Sequence, residues 1–299
     1  MSVSSSKFSL GPVLFYWQPD VWRDFYFRMA DEADVDTVFV GEVVCSKRLG
    51  VFAPHLQAVC ERLQAAGKEV VMSSLALIMS AEELDAVRAL TGQTDYLVEA
   101  NDISACSMLS GRDHAIGPYV NIYNEGTLAS LVERGASRIC LTPELPRDSL
   151  AILAAASCAE LEVQVFGRYP LALSARCYAA RARGLSKDEC RYVCAEDGDG
   201  MDVDTVDNDA FLAVNGTQTL SAAYGNLIAE LSDLRKLGIH RFRLSPHTVD
   251  MVAIAGLFRE VAEGRMDATE GDVQLTGLAP DMPFANGFFH GVEGAAFVG

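Results

Sequence analysis

Residues 68–110 read KEVVMSSLALIMSAEELDAVRALTGQTDYLVEANDISACSMLS, and the periodicity of this stretch changes as it runs. Lys68–Ala76 is a short apolar run rich in β-branched residues, the mark of a buried strand. Residues 80–91 then space apolar side chains three and four apart, as one face of a helix requires. Asp95–Ala100 returns to a strand pattern and residues 102–110 to a helical one. Ser80 and Asp102 stand where a side-chain oxygen accepts from a free backbone N–H of the first helical turn, and Asn124 repeats the device further on. Gly67 and Gly135 stand where helices should end in a left-handed residue.

The alternation continues outward in both directions. Strands are predicted at Phe8–Trp17, Thr37–Glu42, Ile116–Tyr123, Arg138–Glu144, Glu162–Leu173 and Arg241–Pro246. Further helices are predicted near 20–33, 53–66, 125–134, 147–159, 225–237 and 248–262. Eight strands alternating with eight helices predict an α/β fold, a TIM-type (β/α)8 barrel, as a single domain over 1–299. A cysteine-bearing insertion loop is expected at about 174–210 and an irregular C-terminal tail at about 265–299. A doubly wound open sheet shares the alternation, but no G-x-G-x-x-G follows the first strand, which favours the barrel.

Charge narrows the partners. With 41 acidic against 24 basic residues the formal charge is −17, a field that repels phosphate backbones, so general nucleic-acid binding is not expected. No apolar run approaches the ~18 residues a membrane span needs, and the start has no basic region leading into a long apolar stretch. The chain is expected to be soluble and cytoplasmic. Eight cysteines in such a chain are expected to be reduced thiols rather than a disulfide framework.

In a parallel barrel, chemistry collects at the C-terminal strand ends. Those positions hold Gly41, Glu42, Cys45, Ser73, Ser74, Glu99, Asn101, Asp102, Asn121, Tyr123, Asn124, Glu144, Arg168, Ser245 and His247. About half of them are expected to do no more than cap the next helix. Glu42, Glu99, Asn121, Tyr123 and Glu144 are candidates for lining a polar pocket, without assigned roles.

The cysteines divide in two. Cys60, Cys106 and Cys158 fall in predicted helices and Cys140 in an apolar strand, where a thiol is a small hydrophobe. Cys45 follows a strand in the polar turn GEVVCSKR, and Cys177, Cys190 and Cys194 share one segment with spacing Cys-x12-Cys-x3-Cys. The last two would share a face if their turn is helical. Lys47, Arg48, Arg176, Arg181, Arg183, Lys187 and Arg191 surround them in sequence. A structural zinc site favours paired short spacings, whereas iron–sulfur clusters tolerate irregular ones with a remote fourth ligand. Either dianionic centre would welcome the cations, so zinc stays open on chemistry alone. The segment AEDGDGMDVDTVDND (195–209) is not an EF-hand: counted from Asp197, position 5 is Met201 and position 6 is Asp202. It reads as a solvated acidic loop.

The segments SLGPVLFYW, GEVVCSKR, LVEANDISA, LALSARCYAARARGLSKDEC with RYVC, NGTQTLSA and RLSP resemble the collagenase-like peptidase family, in its branch that serves ubiquinone biosynthesis. The resemblance runs from about Phe8 to the last barrel helix. It implies a [4Fe–4S] cluster held by Cys45, Cys177, Cys190 and Cys194, and a UbiU-like homologous subunit as heterodimer partner. It implies a UbiT-like lipid-binding accessory protein, prephenate as oxygen donor, and a part in O2-independent hydroxylation of the aromatic ring of ubiquinone precursors. The acidic loop after Cys194 and the tail GLAPDMPFANGFFHGVEGAAFVG depart from that pattern. A non-catalytic redox or structural scaffold for the partner is the alternative. RNA-base hydroxylation is disfavoured by the net charge, and peptidase action by the lack of H-E-x-x-H and G-x-S-x-G, although a Cys–His dyad among its eight cysteines and five histidines stays formally open.

Overall fold

Val38, Phe39 and Val40 are wholly buried, as a parallel strand must be when helices cover one face and a barrel interior the other. They belong to a computed structural model that describes residues 5–299. In chain order the elements are β1 (Lys7–Leu10), α1 (Pro19–Glu32), β2 (Thr37–Val40), α2 (Leu49–Ala65), β3 (Glu69–Ser73), α3 (Ala81–Gly92), β4 (Leu97–Ala100), α4 (Ile103–Met108), β5 (His114–Ile116), α5 (Glu125–Glu133) and β6 (Ala136–Cys140). There follow α6 (Arg147–Ala156), β7 (Glu160–Leu173), α7 (Tyr178–Ala182), β8 (Met201–Asp204), β9 (Ala210–Asn215), β10 (Gln218–Asn226), α8 (Leu231–Lys236), β11 (Arg241–Leu244), α9 (Met251–Ala262), α10 (Ala268–Leu278) and β12 (Phe284–Ala285).

Strands β1 to β7 pair in sequence, all parallel. β11 pairs with both β7 and β1, Arg241 lying opposite Glu162 on one side and Lys7 on the other. That double pairing closes an eight-stranded parallel barrel with alternating helices, the TIM-type fold predicted from the periodicity. Ser80 forms a full capping box with Glu83, and Asp102 and Asn124 accept from Ser104 N and Thr127 N.

Several boundaries differ from the sequence reading. β1 ends at Leu10, because Pro12 cannot donate to a ladder; Val13–Trp17 leave the sheet yet stay buried across the barrel mouth. β5 ends at Ile116, two residues before Pro118, and Asn121 is left-handed (φ 60°), so Asn121 and Tyr123 sit in a loop rather than on a strand. The helix predicted at 225–237 is strand to Asn226 and helix only from Leu231. The tail expected to be irregular contains α10, capped by Asp267, and the short strand β12.

The larger difference is an antiparallel addition. The first part of β7 closes the barrel, while its second part pairs with β10, β10 with β9, and β9 with β8. Gly167 marks the exit. Its φ is +101°, and a Cβ there would stand 2.7 Å from Ser245 Cβ and 2.8 Å from His247 Nε2, so the bend needs glycine.

Inside the barrel every second residue points inward, and many of those residues are ionic. Arg138 joins Glu69 (3.1 Å) and Glu160 (3.3 Å), and Glu160 joins Arg241 (2.9 Å). One layer higher, Arg243 joins Glu162 (2.9 Å, through Nε) and Glu99 (2.7 Å), while Ser73 donates to Glu99 at 2.7 Å. Arg243 also lies 4.0 Å from the centre of the Phe39 ring. Burial alone would lift the Glu162 carboxyl; the guanidinium charges of Arg243 and Arg241 outweigh it and hold it below the ordinary carboxylate range.

Candidate functional site

The turn after β2 carries Cys45. Gly41 lets β2 turn outward with φ +135°, where a Cβ would meet Ser73 O at 2.6 Å. Glu42, buried next to it, accepts from the backbone N–H of Val44 (2.8 Å) and Cys45 (2.9 Å) and so fixes the turn. Burial pushes the Glu42 carboxyl up; Arg48 opposes that only in part.

The segment bearing the other three cysteines folds back onto this turn. Thr217 Oγ1 donates to Val44 O (2.9 Å), Tyr178 N to Gly216 O (2.8 Å), Lys47 Nζ to Lys187 O (2.7 Å) and Tyr192 OH to Lys47 O (3.1 Å). Tyr192 stacks on Tyr16 with ring centres 5.1 Å apart. Cys45, Cys177, Cys190 and Cys194 are all half-buried. Cys194 lies within electrostatic reach of Cys177, Cys190 and Arg48, and Cys45 within reach of Arg48. Burial pushes the Cys45 and Cys194 thiols up and the Arg48 guanidinium pulls them back, without cancelling the rise. Cys190 and Cys194 do not share an α-helix. Arg191 and Tyr192 are left-handed (φ 49° and 54°) and a single 3-10 turn, Val193–Glu196, follows. Among the described residues, no three His, Cys, Asp or Glu side chains converge closely enough to hold one metal ion.

The remaining thiols divide as follows. Cys60, Cys106 and Cys140 are buried, and burial lifts Cys60 and Cys106 to about 11. Cys158, expected inside a helix and packed, is exposed, because α6 ends at Ala156.

Arg48, one of the seven basic neighbours named from the sequence, is set apart from the others by its burial. It is 1% exposed, in a class of side chain almost never fully buried unless paired. Its Nη1 donates to Leu14 O (2.7 Å) and lies 3.9 Å from Glu42 Oε1; its Nη2 donates to Asn215 Oδ1 (2.9 Å), and its Nε has no hydrogen-bond partner. From Asn215 the chain of bonds continues to Gln218 Oε1 (3.3 Å), and Gln218 Nε2 donates to Tyr119 OH (2.7 Å). Tyr119 lines a surface cavity of about 250 Å³ with Pro118, Asn121 and Pro170–Leu173. Beneath it a second cavity, of about 20 Å³, touches Glu99, Gln164 and Arg243, room for about one water. The polar chain thus runs from Arg48, beside the cysteine turn, to the C-terminal mouth of the barrel.

Of the five candidate pocket acids, amides and phenols, Glu42 belongs to the cysteine turn and Glu99 to the buried ion network. Asn121 lines the 250 Å³ cavity. Tyr123 donates to Glu144 (2.6 Å) outside it, and Tyr123 is half exposed. Of the surrounding cations, Arg183 pairs with Glu196 and Asp197, whereas Arg176, Arg181 and Arg191 are exposed.

The acidic segment is docked rather than freely solvated. Gly198 O accepts from Trp17 Nε1 (2.8 Å), and Asp202 pairs with buried Arg168 (2.8 Å). Asp199 accepts from Thr248 N (3.0 Å) and from His247 Nδ1 (3.2 Å). Arg168 N donates to His247 Nε2 at 3.0 Å, which places the ring proton on Nδ1. Burial holds His247 below its ordinary value, against the pull of Asp199. An unfolded histidine takes up its proton near pH 6.5, above the folded ring, so stability declines as pH falls below that value. The urea midpoint is expected to drop between pH 7 and pH 5, and to drop less in His247→Gln. An equal drop in both would remove His247 from this account.

One comparison decides the kinship. The sequence description of Peptidase family U32 matches residues 25–296. The chain belongs to this family. Similar solved structures include the DAHP synthase of Thermotoga maritima, at 11% identity, covering 92% of this chain and 71% of that one, TM-score 0.45. A class V chitinase from Nicotiana tobaccum matches at 10% identity, over 86% of this chain and 91% of its own, TM-score 0.32. The Asp199–His247 pair has the look of a general base, but Nε2 is occupied by a backbone N–H and receives no proton from a nucleophile. No helix among the described residues is long and apolar enough to cross a membrane.

Proposed function

We propose that this chain is the iron–sulfur subunit, of the UbiV kind, of an O2-independent hydroxylase acting on the aromatic ring of ubiquinone precursors, paired with a UbiU-like subunit. The observation that carries the reading is the folding of the Cys177–Cys194 segment onto the Cys45 turn, with a buried arginine facing both. The donor set fits a [4Fe–4S] cluster: four half-buried thiols, beside a cation whose Nε has no partner, with the Glu42 carboxylate engaged by the backbone N–H groups of Val44 and Cys45. Cys45, Cys177, Cys190 and Cys194 would hold it, and when bound it supplies one-electron redox chemistry. Cys45 is fixed by Glu42, while the other three sit on a segment with few buried groups that can adjust on loading.

The protein's own residues supply positioning. Asn215 and Gln218 hold Arg48 at one end and the Tyr119 hydroxyl at the other, and Tyr119 lines both the 250 Å³ cavity and the smaller one. A prephenate oxygen donor and a UbiT-like lipid carrier belong to the same reading. One observation favours a second reading, a redox scaffold for the partner: Arg243 and its two glutamates fill the barrel axis below that cavity, leaving about 20 Å³. The test is ubiquinone yield in anoxic cells in which this protein is replaced by Cys190→Ala. Loss of ring hydroxylation is expected, and an undiminished yield would count against both readings.

A further inference from the structure

Two buried charges of opposite sign flank the cysteine turn, and neither is needed merely to cap it. Glu42 could fix the turn as a neutral amide, since its oxygen accepts two N–H groups. Arg48 could be any buried donor as far as Leu14 O and Asn215 are concerned. Yet both are ionisable groups taken out of water, 4% and 1% exposed, with their closest approach 3.9 Å through Nη1. That separation is long for a paired guanidinium and carboxylate. Nη1 and Nη2 are occupied by neutral acceptors, and Nε is unpartnered. The charge of Arg48 is therefore only partly answered by Glu42; around it also stand Cys45, Cys194 and, 6.0 Å from the guanidinium carbon, the Tyr16 ring. An unpaired buried cation is costly unless something negative completes its surroundings.

We infer that Arg48 and Glu42 act as an opposed pair of positioning charges that set the reduction potential of the centre held by the four cysteines, Arg48 raising it and Glu42 lowering it. The inference rests on the cluster reading above. Reduction adds one negative charge to the centre; a buried cation beside it favours the reduced form and a buried carboxylate opposes it. Low local dielectric makes both effects larger than those of the exposed Arg176, Arg181 and Arg191, which water screens.

The test is a potentiometric titration, followed by EPR, of the anaerobically purified full-length protein and three variants. Glu42→Gln keeps the acceptor oxygen for Val44 N and Cys45 N while removing the charge; its potential is expected to rise. Arg48→Met removes the cation, and its potential is expected to fall. Each shift is expected to be at least about tenfold in the reduction equilibrium, which is 59 mV for a one-electron couple. Arg48→Lys keeps the charge and is expected to lie between Arg48→Met and the parent. A purely structural role would disturb iron content without moving the potentials in opposite directions. Unmoved potentials, or shifts of the same sign, in variants that retain the cluster overturn the inference. If Arg48→Met does not retain iron, Glu42→Gln decides it, since that variant keeps the turn. A parent protein with no cluster signal overturns the cluster reading itself, a result distinct from an unmoved potential.

Discussion

Replacing Arg243 with methionine is expected to destabilise the fold by about 3–5 kcal/mol, the usual cost of removing one partner from a buried ion network. Arg243 is 4% exposed and is held between Glu99 and Glu162, which are 1% and 0% exposed. Without the guanidinium, two buried carboxylates lose the cation they share. Both must then take up protons or stay charged without a partner, and either is expensive. The loss sits in the barrel wall, where β11 joins β7, so it should appear as a lower urea midpoint of the whole domain. A triple variant with Glu99→Gln and Glu162→Gln added is expected to recover much of the loss, because the buried charges are then gone. If Arg243→Met alone unfolds at the parent midpoint, the ionic column is not structural.

The second large effect concerns iron. Cys190→Ala is expected to lose most of the bound iron, and Cys45→Ala, Cys177→Ala and Cys194→Ala likewise, whereas Cys158→Ala is expected to keep it all. Cys158 is the informative control, being an exposed thiol outside the set of four. Because ligand binding and local folding share one free energy, the Cys177–Cys194 segment of the depleted variants should also be cut faster by protease. The contacts that hold the segment, such as Lys47 to Lys187 O and Tyr192 to Lys47 O, are half-exposed hydrogen bonds, each worth about 0.5–1.5 kcal/mol. Equal iron in Cys190→Ala and Cys158→Ala would remove the quartet from the account.

The barrel was legible because its strands are buried on both faces and its helices on one, so the two periods separate cleanly along 68–110. The antiparallel addition was not. MDVD in β8 alternates half-buried with exposed residues, and the acids of 197–204 resemble a solvated loop until partners are seen. Those partners, Arg168 for Asp202 and His247 for Asp199, are 34 and 48 residues away in sequence. The four cysteines stood out by spacing and by their basic neighbours, but that single-letter pattern ranked Arg48 equal to Arg176. Only the fold distinguishes the buried guanidinium from the exposed one. The ionic interior did leave a trace: ELEVQ at 160–164 and RFRL at 241–244 alternate charge with apolar residues at period two. Read as strands alone, they hide the fact that the charged face is the inward one.

The most direct measurement is an iron and acid-labile sulfide count on the anaerobically purified protein, together with its visible absorbance and EPR spectrum after reduction. The account predicts a brown protein with about four irons and four sulfides per chain and a reduced-cluster signal. A colourless protein carrying one zinc per chain would contradict it.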